Sequence, residues 1–313
     1  MEHRFDSKCD SVVRASGREM TNADHPALWR SSSAAASGCQ WWFLFWVRVH
    51  LGLLAATGLL AAWIPTEPNA DHIVSGIVAF LMFAALIVGL VLRLARMDDA
   101  WFRARAFAEN AKGAAWRFMM KPKAGVQTAN EVEESAFLEE LQQIRGRFPQ
   151  VEKHLSKYDK GGEELTEKMR EVRAMPMSER LEFYKQYRLQ DQIDWYRQKA
   201  KANADAESKW FTVILIAEAL AIVAATVRIL TVHEYNPTGG IAAVAACSLA
   251  WVHTKRFSDL ANTYGVACRD LNGLRTRAEH VHNETELQQF VADVETAVSR
   301  EHRLWIERRS GAD

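Results

Sequence analysis

The apolar residues of this chain are gathered into two pairs of segments, each of a length suited to crossing a lipid bilayer. The hydrocarbon core of a bilayer is about 30 Å thick, and a helix needs about 20 apolar residues to cross it. Residues 73–92 (IVSGIVAFLMFAALIVGLVL) supply such a run without one charge. Because hydrocarbon offers no water to backbone polar groups, such segments must be helical. The sequence therefore predicts an all-α integral membrane protein with four transmembrane helices in two duplicated hairpins and long cytoplasmic helices; the hairpins pair 41–64 with 73–92, and 210–230 with 236–253.

The bulk composition hides this conclusion. The 313 residues carry 39 Lys and Arg against 39 Asp and Glu, which gives a formal net charge of zero. Such a balance suits a soluble protein, but here it arises because a charged middle, residues 93–209, dilutes the apolar hairpins. The neutral charge gives no argument for nucleic-acid binding, and the sequence has no basic patch interleaved with aromatic residues.

The charges beside the four segments predict their orientation. The two short connections, residues 65–72 and 231–238, contain no Lys or Arg. Basic residues flank the opposite ends of the segments: Arg93, Arg96, Lys209, Lys255 and Arg256. Because Lys and Arg in short loops favour the cytoplasmic side, we expect both termini and residues 93–209 to be cytoplasmic.

The fourth segment is short and rich in small residues. Only residues 239–252 are clearly apolar, so the segment either recruits its polar neighbours or lies tilted or buried. Small side chains let neighbouring backbones approach closely. This composition favours a position inside the bundle.

The remaining parts show helical periodicity and an internal repeat. Apolar residues recur at the same 3–4 spacing, 156 residues apart, after the second and fourth segments: Trp101, Ala104, Ala108, Ala111, Ala115 and Phe118, then Phe257, Leu260, Tyr264, Ala267, Leu271 and Leu274. This spacing predicts two helices that each bury one stripe against a neighbour. Another helix is predicted to begin near Pro176 and to continue to Leu230, as a rod of about 75 Å that enters the membrane. The rod either transmits a cytoplasmic event or simply supports the span.

One acidic residue, Glu218, lies in the middle of the third segment. An acid at this depth costs about 3 kcal/mol on insertion scales, so we expect it to face a bundle interior or water. In a homo-oligomer, Glu218 would line a pore as an acidic ring that favours cations. The alternative is a protonated carboxyl group that is hydrogen-bonded to a neighbouring helix. Arg48, His50 and Arg228 lie near helix ends, where snorkelling to the headgroups accounts for them.

The sequence contains no motif of an enzyme, a metal site or a cofactor site. It has no P-loop, GxGxxG, GxSxG or HExxH pattern. The four cysteines are far apart, without the spacing of metal ligands. His280, His282 and His302 match no helical metal pair, and we expect them on a solvated surface. We therefore expect a protein that is not an enzyme and that holds no metal and no cofactor.

Residues 169–210, which lead into the third segment, carry a family resemblance. They include Arg188, Gln192, Trp195, Tyr196, Lys199, Ala200 and Asn203. Residues 25–43 and 101–119 have similar features, the latter with Arg105, Glu109, Lys112 and Trp116. Together these segments resemble a tandem arrangement of the SLATT family, the two-transmembrane effector domains associated with SMODS nucleotidyltransferases and SLOG nucleotide sensors. The stretch 31–36 departs from the pattern, because it holds only Ser and Ala where relatives usually place an acidic residue.

The resemblance implies a domain organisation and a role for the motif. We expect a polar N-terminal tail (1–24), a first SLATT-like unit (25–122), a cytoplasmic linker with a helix (123–175), a second SLATT-like unit (176–290) and a C-terminal cytoplasmic helix (291–313). The motif residues of both units are candidates for gating or packing.

The resemblance also implies a function. It points to a membrane effector of a bacterial anti-phage or conflict system, which oligomerises and depolarises the inner membrane through an ion-conducting pore, as in abortive infection. No nucleotide synthase, SLOG or TIR segment is recognisable in the chain. The expected partners are the lipid bilayer, further copies of the chain, and a separate nucleotide synthase or sensor protein or a nucleotide-type signal. Two alternatives stay open: a non-conducting membrane scaffold that recruits a sensor or toxin through its cytoplasmic helices, and a small transporter with duplicated halves.

Overall fold

The computed structural model describes residues 19–63, 68–122, 125, 127–159, 161–230 and 237–310. Most of the predicted N-terminal tail, the end of the first predicted span at residue 64 and the start of the fourth at residue 236 lie outside these ranges. Every regular element in the described ranges is a helix: α1 (Ala27–Ala61), α2 (Pro68–Ala95), α3 (Met97–Met120), α4 (Gln127–Arg147), α5 (Glu152–Tyr158), α6 (Glu167–Ala174), α7 (Met177–Tyr184), α8 (Asp191–Leu230), α9 (Thr238–Lys255), α10 (Phe257–Arg277) and α11 (Glu284–Ser310), with a π-turn at Lys185–Gln190 and short 3₁₀ turns. The prediction of an all-α fold is confirmed for the described residues.

Three helical segments in the described part of the chain are long and apolar enough to cross a membrane. They are Ala27–Ala61, Ala70–Met120 and Met177–Leu230. They contain residues 41–61 of the first predicted span and all of the second and third. Large apolar side chains on these segments face outward, where water would penalise them: Phe80 is 68% exposed and Phe211 is 61% exposed. A lipid environment removes this penalty, because hydrocarbon surrounds apolar side chains without cost.

The four apolar helices lie in a row. Helix α1 packs against α2 on one side and α9 on the other, and α9 also packs against α8. The order is therefore α2, α1, α9, α8, with α2 and α8 at the two edges. Such a row leaves most of α2 and one side of α8 without a partner among the described residues.

Helix α9 is the short member of the row. Its 18 residues extend for about 27 Å, and it is not among the three segments that meet the length and composition of a span. Its buried residues, Gly240, Ala245, Ser248 and Trp251, recur every three to five positions. Packing between α1 and α8 agrees with the interior position that its small residues predict.

Two glycines allow α1 and α9 to touch through their backbones. A Cβ atom added at Gly240 would lie 2.9 Å from the Leu59 Cα atom and 3.0 Å from the Gly58 carbonyl oxygen. A Cβ atom added at Gly58 would lie 2.4 Å from the Ala243 Cβ atom. Neither position has room for a side chain. The contact joins the first apolar pair of helices to the second.

The remaining helices form a polar helical layer at one end of the row, composed of the beginnings of α1 and α8 together with α3–α7, α10 and α11. Helix α3 lies at its centre and packs against α1, α4, α6, α7 and α11. The small residues of the 31–36 stretch matter here, because Ser32 and Ala35 are fully buried and let α3 approach α1 closely. In α3 the predicted stripe is buried from Ala104 to Phe118, which confirms the 3–4 pattern.

The two halves of the chain repeat one arrangement. In each half a long helix packs on a second apolar helix and on the helix that follows it: α1 on α2 and α3, and α8 on α9 and α10. The junction between the second and third helix is a single residue with left-handed backbone, Arg96 (φ 44°) in one half and Arg256 (φ 51°) in the other. These junctions are 160 residues apart, one helical turn more than the 156 found by matching the stripes.

The predicted rod is present, with one feature that the sequence did not indicate. Helical structure is continuous from Met177 to Leu230, a length of 54 residues or about 80 Å. Leu189, Ile193 and Tyr196, which are spaced by four and three residues along the rod, are fully buried. Residues Lys185–Gln190 form a π-turn within the rod. Such turns are rare and are frequently found at functional sites.

The contact between α1 and α9 can be tested with two neighbouring glycines. Gly240→Ala should lower the free energy of unfolding in detergent by about 1–3 kcal/mol, because the new methyl group overpacks the Gly58–Leu59 backbone. Gly239→Ala is the matched control, since no atom lies within 4 Å of its added Cβ. It should be neutral or slightly stabilising, because alanine favours helix. Equal effects of the two substitutions on thermal unfolding would contradict the described packing.

Candidate functional site

Three arginines on the segment 167–190 project into the polar helical layer. Arg173, Arg180 and Arg188 are each at most 3% exposed. Each pairs with a carboxylate from another helix: Arg173 with Glu133 of α4, Arg180 with Glu284 at the start of α11, and Arg188 with Glu295 of α11. Because an unpaired buried charge is costly, these three pairs fix the position of the segment against its neighbours.

The pair of Arg188 and Glu295 is the most deeply buried of the three. Arg188 lies in the π-turn, and its Nη2 and Nε atoms donate hydrogen bonds of 2.7 and 2.9 Å to the two carboxylate oxygens of Glu295. Glu295 also accepts a hydrogen bond of 2.9 Å from the Tyr184 hydroxyl group. The two parallel bonds use the planar fork of the guanidinium group, which suits a carboxylate.

Two further polar residues complete this polar cluster. Arg188 Nη1 donates to Gln192 Oε1 at 3.3 Å, and Arg188 Nη2 lies 3.9 Å from Glu109 Oε2. Glu109 belongs to α3, so Arg188 contacts carboxylates of two different helices. We call Tyr184, Arg188, Gln192, Glu295 and Glu109 the Arg188 cluster.

The electrostatics of the cluster are set by burial and by mutual pairing. Burial alone would raise the pKa of Glu295, but the charge and the hydrogen bonds of Arg188 outweigh it, and the pKa of Glu295 is lowered. Burial opposes the charge on Arg188, yet Glu295 raises the pKa of this guanidinium group above its usual value. Burial, followed by the negative charge of Glu295, raises the pKa of Tyr184 well above its usual value. The cluster therefore holds a buried ion pair and a protonated phenol.

A second group of motif residues lies one to two turns further along α8. The Arg105 guanidinium group of α3 lies 5.0 Å from the centre of the Trp195 ring, and Lys199 Nζ lies 5.7 Å from the same ring. Tyr196 is fully buried, with its ring centre 5.8 Å from that of Tyr264 in α10. Trp195 is thus placed between cations of both halves, as in cation–π contacts elsewhere.

A third group surrounds His25, at the start of α1. The His25 ring lies 4.4 Å from the Trp29 ring and 6.3 Å from the Trp116 ring, and Lys112 Nζ lies 5.5 Å from the Trp29 ring. His25 is only 5% exposed, and its Nδ1 atom has no hydrogen-bond partner among the described residues. Burial, with the charges of Lys112, Arg188 and Arg30, lowers the pKa of His25 well below its usual value. Burial also lowers the pKa of Lys112.

The structure joins most of the motif residues predicted from the sequence. Arg188, Gln192 and Glu109 meet in one cluster, Arg105 meets Trp195 and Lys199, and Lys112 and Trp116 lie beside His25. Asn203 is separate: its side chain donates to the Lys199 carbonyl oxygen of its own helix. The contacts of α3 with the π-turn and with α8 unite residues that the sequence places in two different units.

Sequence reasoning missed several members of the site. Glu295 falls within residues 291–313, which the sequence predicts as a C-terminal helix outside both units, and no sequence pattern indicates Tyr184, Arg173 or Arg180. One signal was available for Glu295, since this acid adjoins the apolar stripe of Leu287, Val291, Val294 and Val298. An acid beside a buried stripe indicates a partner, although it does not identify the partner.

Glu218 lies on the outer surface of α8, away from the other helices that the structure describes. The side chain is exposed, whereas its neighbour Ala217 is buried against the row. His50, for which the sequence predicts snorkelling to the headgroups, has a partner within the row: its Nδ1 atom lies 3.0 Å from the Ala85 carbonyl oxygen of α2. Within the described part of the chain, no group of three or more His, Cys, Asp or Glu residues is placed to hold a metal ion.

Comparison with known families agrees with this arrangement. Residues 26–181 match the SMODS and SLOG-associating 2TM effector domain 3, and residues 184–305 match the SMODS and SLOG-associating 2TM effector domain 1. Searches of curated proteins and of solved structures found no match. The apolar hairpins and the two matches define a membrane protein built from two-transmembrane effector domains. The chain belongs to the SLATT family and carries two SLATT domains in tandem.

The matched ranges assign the clusters to both domains. The boundary between the ranges falls at residues 182–183, just before the π-turn. Arg188 and Glu295 therefore belong to the second domain, and Glu109, Arg105 and His25 lie in or beside the first. The contacts of Arg188 with Glu109 and of Arg105 with Trp195 connect the tandem domains.

The ion pair can be tested by removing one partner. Glu295→Ala should lower the free energy of unfolding by about 3–5 kcal/mol, because it leaves the Arg188 charge buried without its main partner. The double variant Arg188→Met/Glu295→Leu should recover much of this loss, since it removes both charges together. Glu134→Ala is the control: it breaks the exposed pair with Arg170 and should cost about 0–1 kcal/mol. Chemical unfolding in detergent measures all three, and a loss for Glu295→Ala no larger than for Glu134→Ala would contradict the buried pairing.

His25 predicts a pH dependence of stability. The pKa of His25 is lowered in the folded protein. Above the unfolded-state pKa of about 6.5, His25 is neutral in both the folded and the unfolded chain. Below this pH, the unfolded chain binds a proton that the folded protein does not. The free energy of unfolding should therefore fall as the pH decreases from about 6.5, by up to about 1.4 kcal/mol per pH unit. His25→Phe should remove this part of the decrease in unfolding curves, and His280→Phe, at an exposed position, should retain it. A profile unchanged by His25→Phe would exclude His25 as the source.

Proposed function

We propose that this protein is a pore-forming effector of a bacterial anti-phage system, which depolarises the inner membrane when a cytoplasmic signal is received. The observation that carries the proposal is the continuous helix from Met177 to Leu230. Its first part holds Arg188 in a buried polar cluster, and its last part carries Glu218 in an apolar segment. A displacement of the helix at the Arg188 cluster would therefore be transmitted along the same helix into the membrane.

The proposal includes four membrane crossings. Helices α1, α2 and α8 have the length of spans, and α9 runs back along α1 and α8 from a connection without Lys or Arg. Two complete hairpins return the chain to the side on which it started. The polar helical layer and the basic flanks lie at the same end of the row, which supports the proposal that both termini are cytoplasmic.

Pore formation needs more than one copy of the chain. The row α2, α1, α9, α8 encloses no channel, and its edges are open to further subunits. Glu218 is exposed on the edge helix α8 and would face lipid in a single chain, which costs about 3 kcal/mol. A neighbouring copy that covers this position removes the cost and arranges the Glu218 side chains around a common axis. Such a ring of carboxylates favours cations.

The signal is proposed to act on the polar helical layer. The family is associated with SMODS and SLOG domains, which gives a separate nucleotide synthase or sensor protein, or a nucleotide-type signal, as the source. Release of Glu295 from Arg188 would break one of two ion pairs between the rod and α11, since Arg180 of the rod also pairs with Glu284 of α11. The side chains of Gln192 and Glu109 would then be the remaining polar contacts of Arg188.

A scaffold is the second candidate. The polar helical layer includes helices that do not lead directly into a span: α4 and the short α5 and α6. The outer sides of these helices are exposed. These surfaces suit recruitment of a sensor or toxin without any conductance. A stable complex with such a partner, together with a normal membrane potential in cells that overproduce the protein, would favour this function.

Conductance in liposomes distinguishes the two functions. The purified protein should carry a cation-selective current, and Glu218→Gln should reduce the preference for cations severalfold because it removes the fixed charge. Glu207→Gln, on the same helix before Trp210, is the matched control and should leave selectivity unchanged. A current with unaltered selectivity in Glu218→Gln would exclude the acidic ring, and absence of any current would favour the scaffold.

A further inference from the structure

Trp251 of α9 lies beside two cations from different domains. The Arg48 Cζ atom of α1 is 5.0 Å from the centre of the Trp251 ring, and the Lys255 Nζ atom is 5.9 Å from it. The Trp210 ring of α8 lies 6.3 Å from the Trp251 ring. Three helices of the row thus converge on one indole ring, which is 9% exposed.

This position marks one level in the row. Trp251 packs in an apolar cluster with Leu44 and Val47 of α1, and Leu92 of α2 packs against the same cluster. It is the end of the row at which the apolar segments give way to the polar helical layer. Tryptophan favours the interface between hydrocarbon and headgroups, so this level corresponds to the membrane surface.

Positive charge is concentrated at this level. The stretches 44–50, 92–96, 206–211 and 251–257 contain six Lys and Arg residues and a single acid, Glu207. Arg48 is exposed and Lys255 is half-buried, so both are accessible from outside the bundle. The next residue, Arg256, has left-handed backbone and bonds to Asp259 of α10, which directs the chain away from Lys255 into the polar helical layer.

We propose that Arg48 and Lys255, supported by Trp251, bind the phosphate group of an anionic lipid headgroup. The inference rests on the membrane placement in the proposed function. A guanidinium group binds phosphate oxygens through two parallel hydrogen bonds, and an ammonium group adds a point charge. Basic sites between transmembrane helices at the cytoplasmic surface are suited to anionic headgroups. The indole ring fixes both cations at the depth of the phosphate.

The site joins the tandem domains through the lipid. Arg48 belongs to the first domain and Lys255 to the second. One bound phosphodiester, with its single negative charge, would bridge two cations that are held around the same ring. The lipid therefore stabilises the α1–α9 contact at the membrane surface, about 15 Å along the two helices from Gly58 and Gly240.

The test measures lipid retention by the full-length protein. Native mass spectrometry of the protein released from nanodiscs of phosphatidylglycerol and phosphatidylcholine should show preferential retention of phosphatidylglycerol. Arg48→Gln and Lys255→Gln should each reduce this preference about fivefold, as expected for the loss of one cation near an anionic surface. Arg48→Lys should retain much of the preference, because it keeps the charge. Arg228→Gln, an exposed cation at the other end of α8, is the matched control and should have no effect.

Three results would overturn the proposal. An equal loss in Arg228→Gln would indicate general attraction to charge, and equal retention of the two lipids by the unaltered protein would exclude a phosphatidylglycerol site. Displacement of the lipid by an equal concentration of inorganic phosphate would assign the site to free phosphate. Conductance is measured separately, so loss of lipid preference with an intact current defeats only this proposal. A protein that stays monodisperse without detergent would instead defeat the membrane placement itself.

Discussion

The buried ion pair between Arg188 and Glu295 is the interaction on which the arrangement of the polar helical layer depends. Burying a charge is unfavourable unless it is paired and hydrogen-bonded. Glu295 meets this requirement with three bonds, two from Arg188 and one from Tyr184. The same carboxylate also explains Gly113 of α3, since a Cβ atom there would lie 3.1 Å from Glu295 Oε2. Helix α3, the end of α7 with the π-turn, and α11 are therefore held at fixed distances around one charge.

The tandem domains do not stand side by side as independent units. Arg188 of the second domain reaches Glu109 of the first, and Arg105 of the first lies on the ring of Trp195 of the second. At the other end, α1 and α9 touch through glycine backbones. The domains are thus joined by polar contacts in the layer and by close packing in the apolar row. A displacement of one domain would have to break both kinds of contact.

Local patterns made much of the fold predictable. Apolar runs located α1, α2 and α8, and the 3–4 stripe located α3 and α10, because each signal lies within one helix. The left-handed turns at Arg96 and Arg256 gave no signal, since arginine rarely adopts this backbone. The motif residues of the site could be predicted, because each group lies within one helix. Their partner Glu295 could not, because it is 107 residues from Arg188 in the chain, and a pairing over that distance produces no periodic sequence pattern.

The π-turn at Lys185–Gln190 changes the direction in which every side chain of α8 points around the helix axis. A π-turn contains one residue more than the α-turn it replaces, and one residue of α-helix corresponds to about 100° of rotation. Counting 3.6 residues per turn from Met177 therefore misplaces each side chain of α8 by roughly a quarter of a revolution. The direction in which Glu218 points from the helix axis is therefore set by the π-turn that contains Arg188, about 30 residues earlier in the chain.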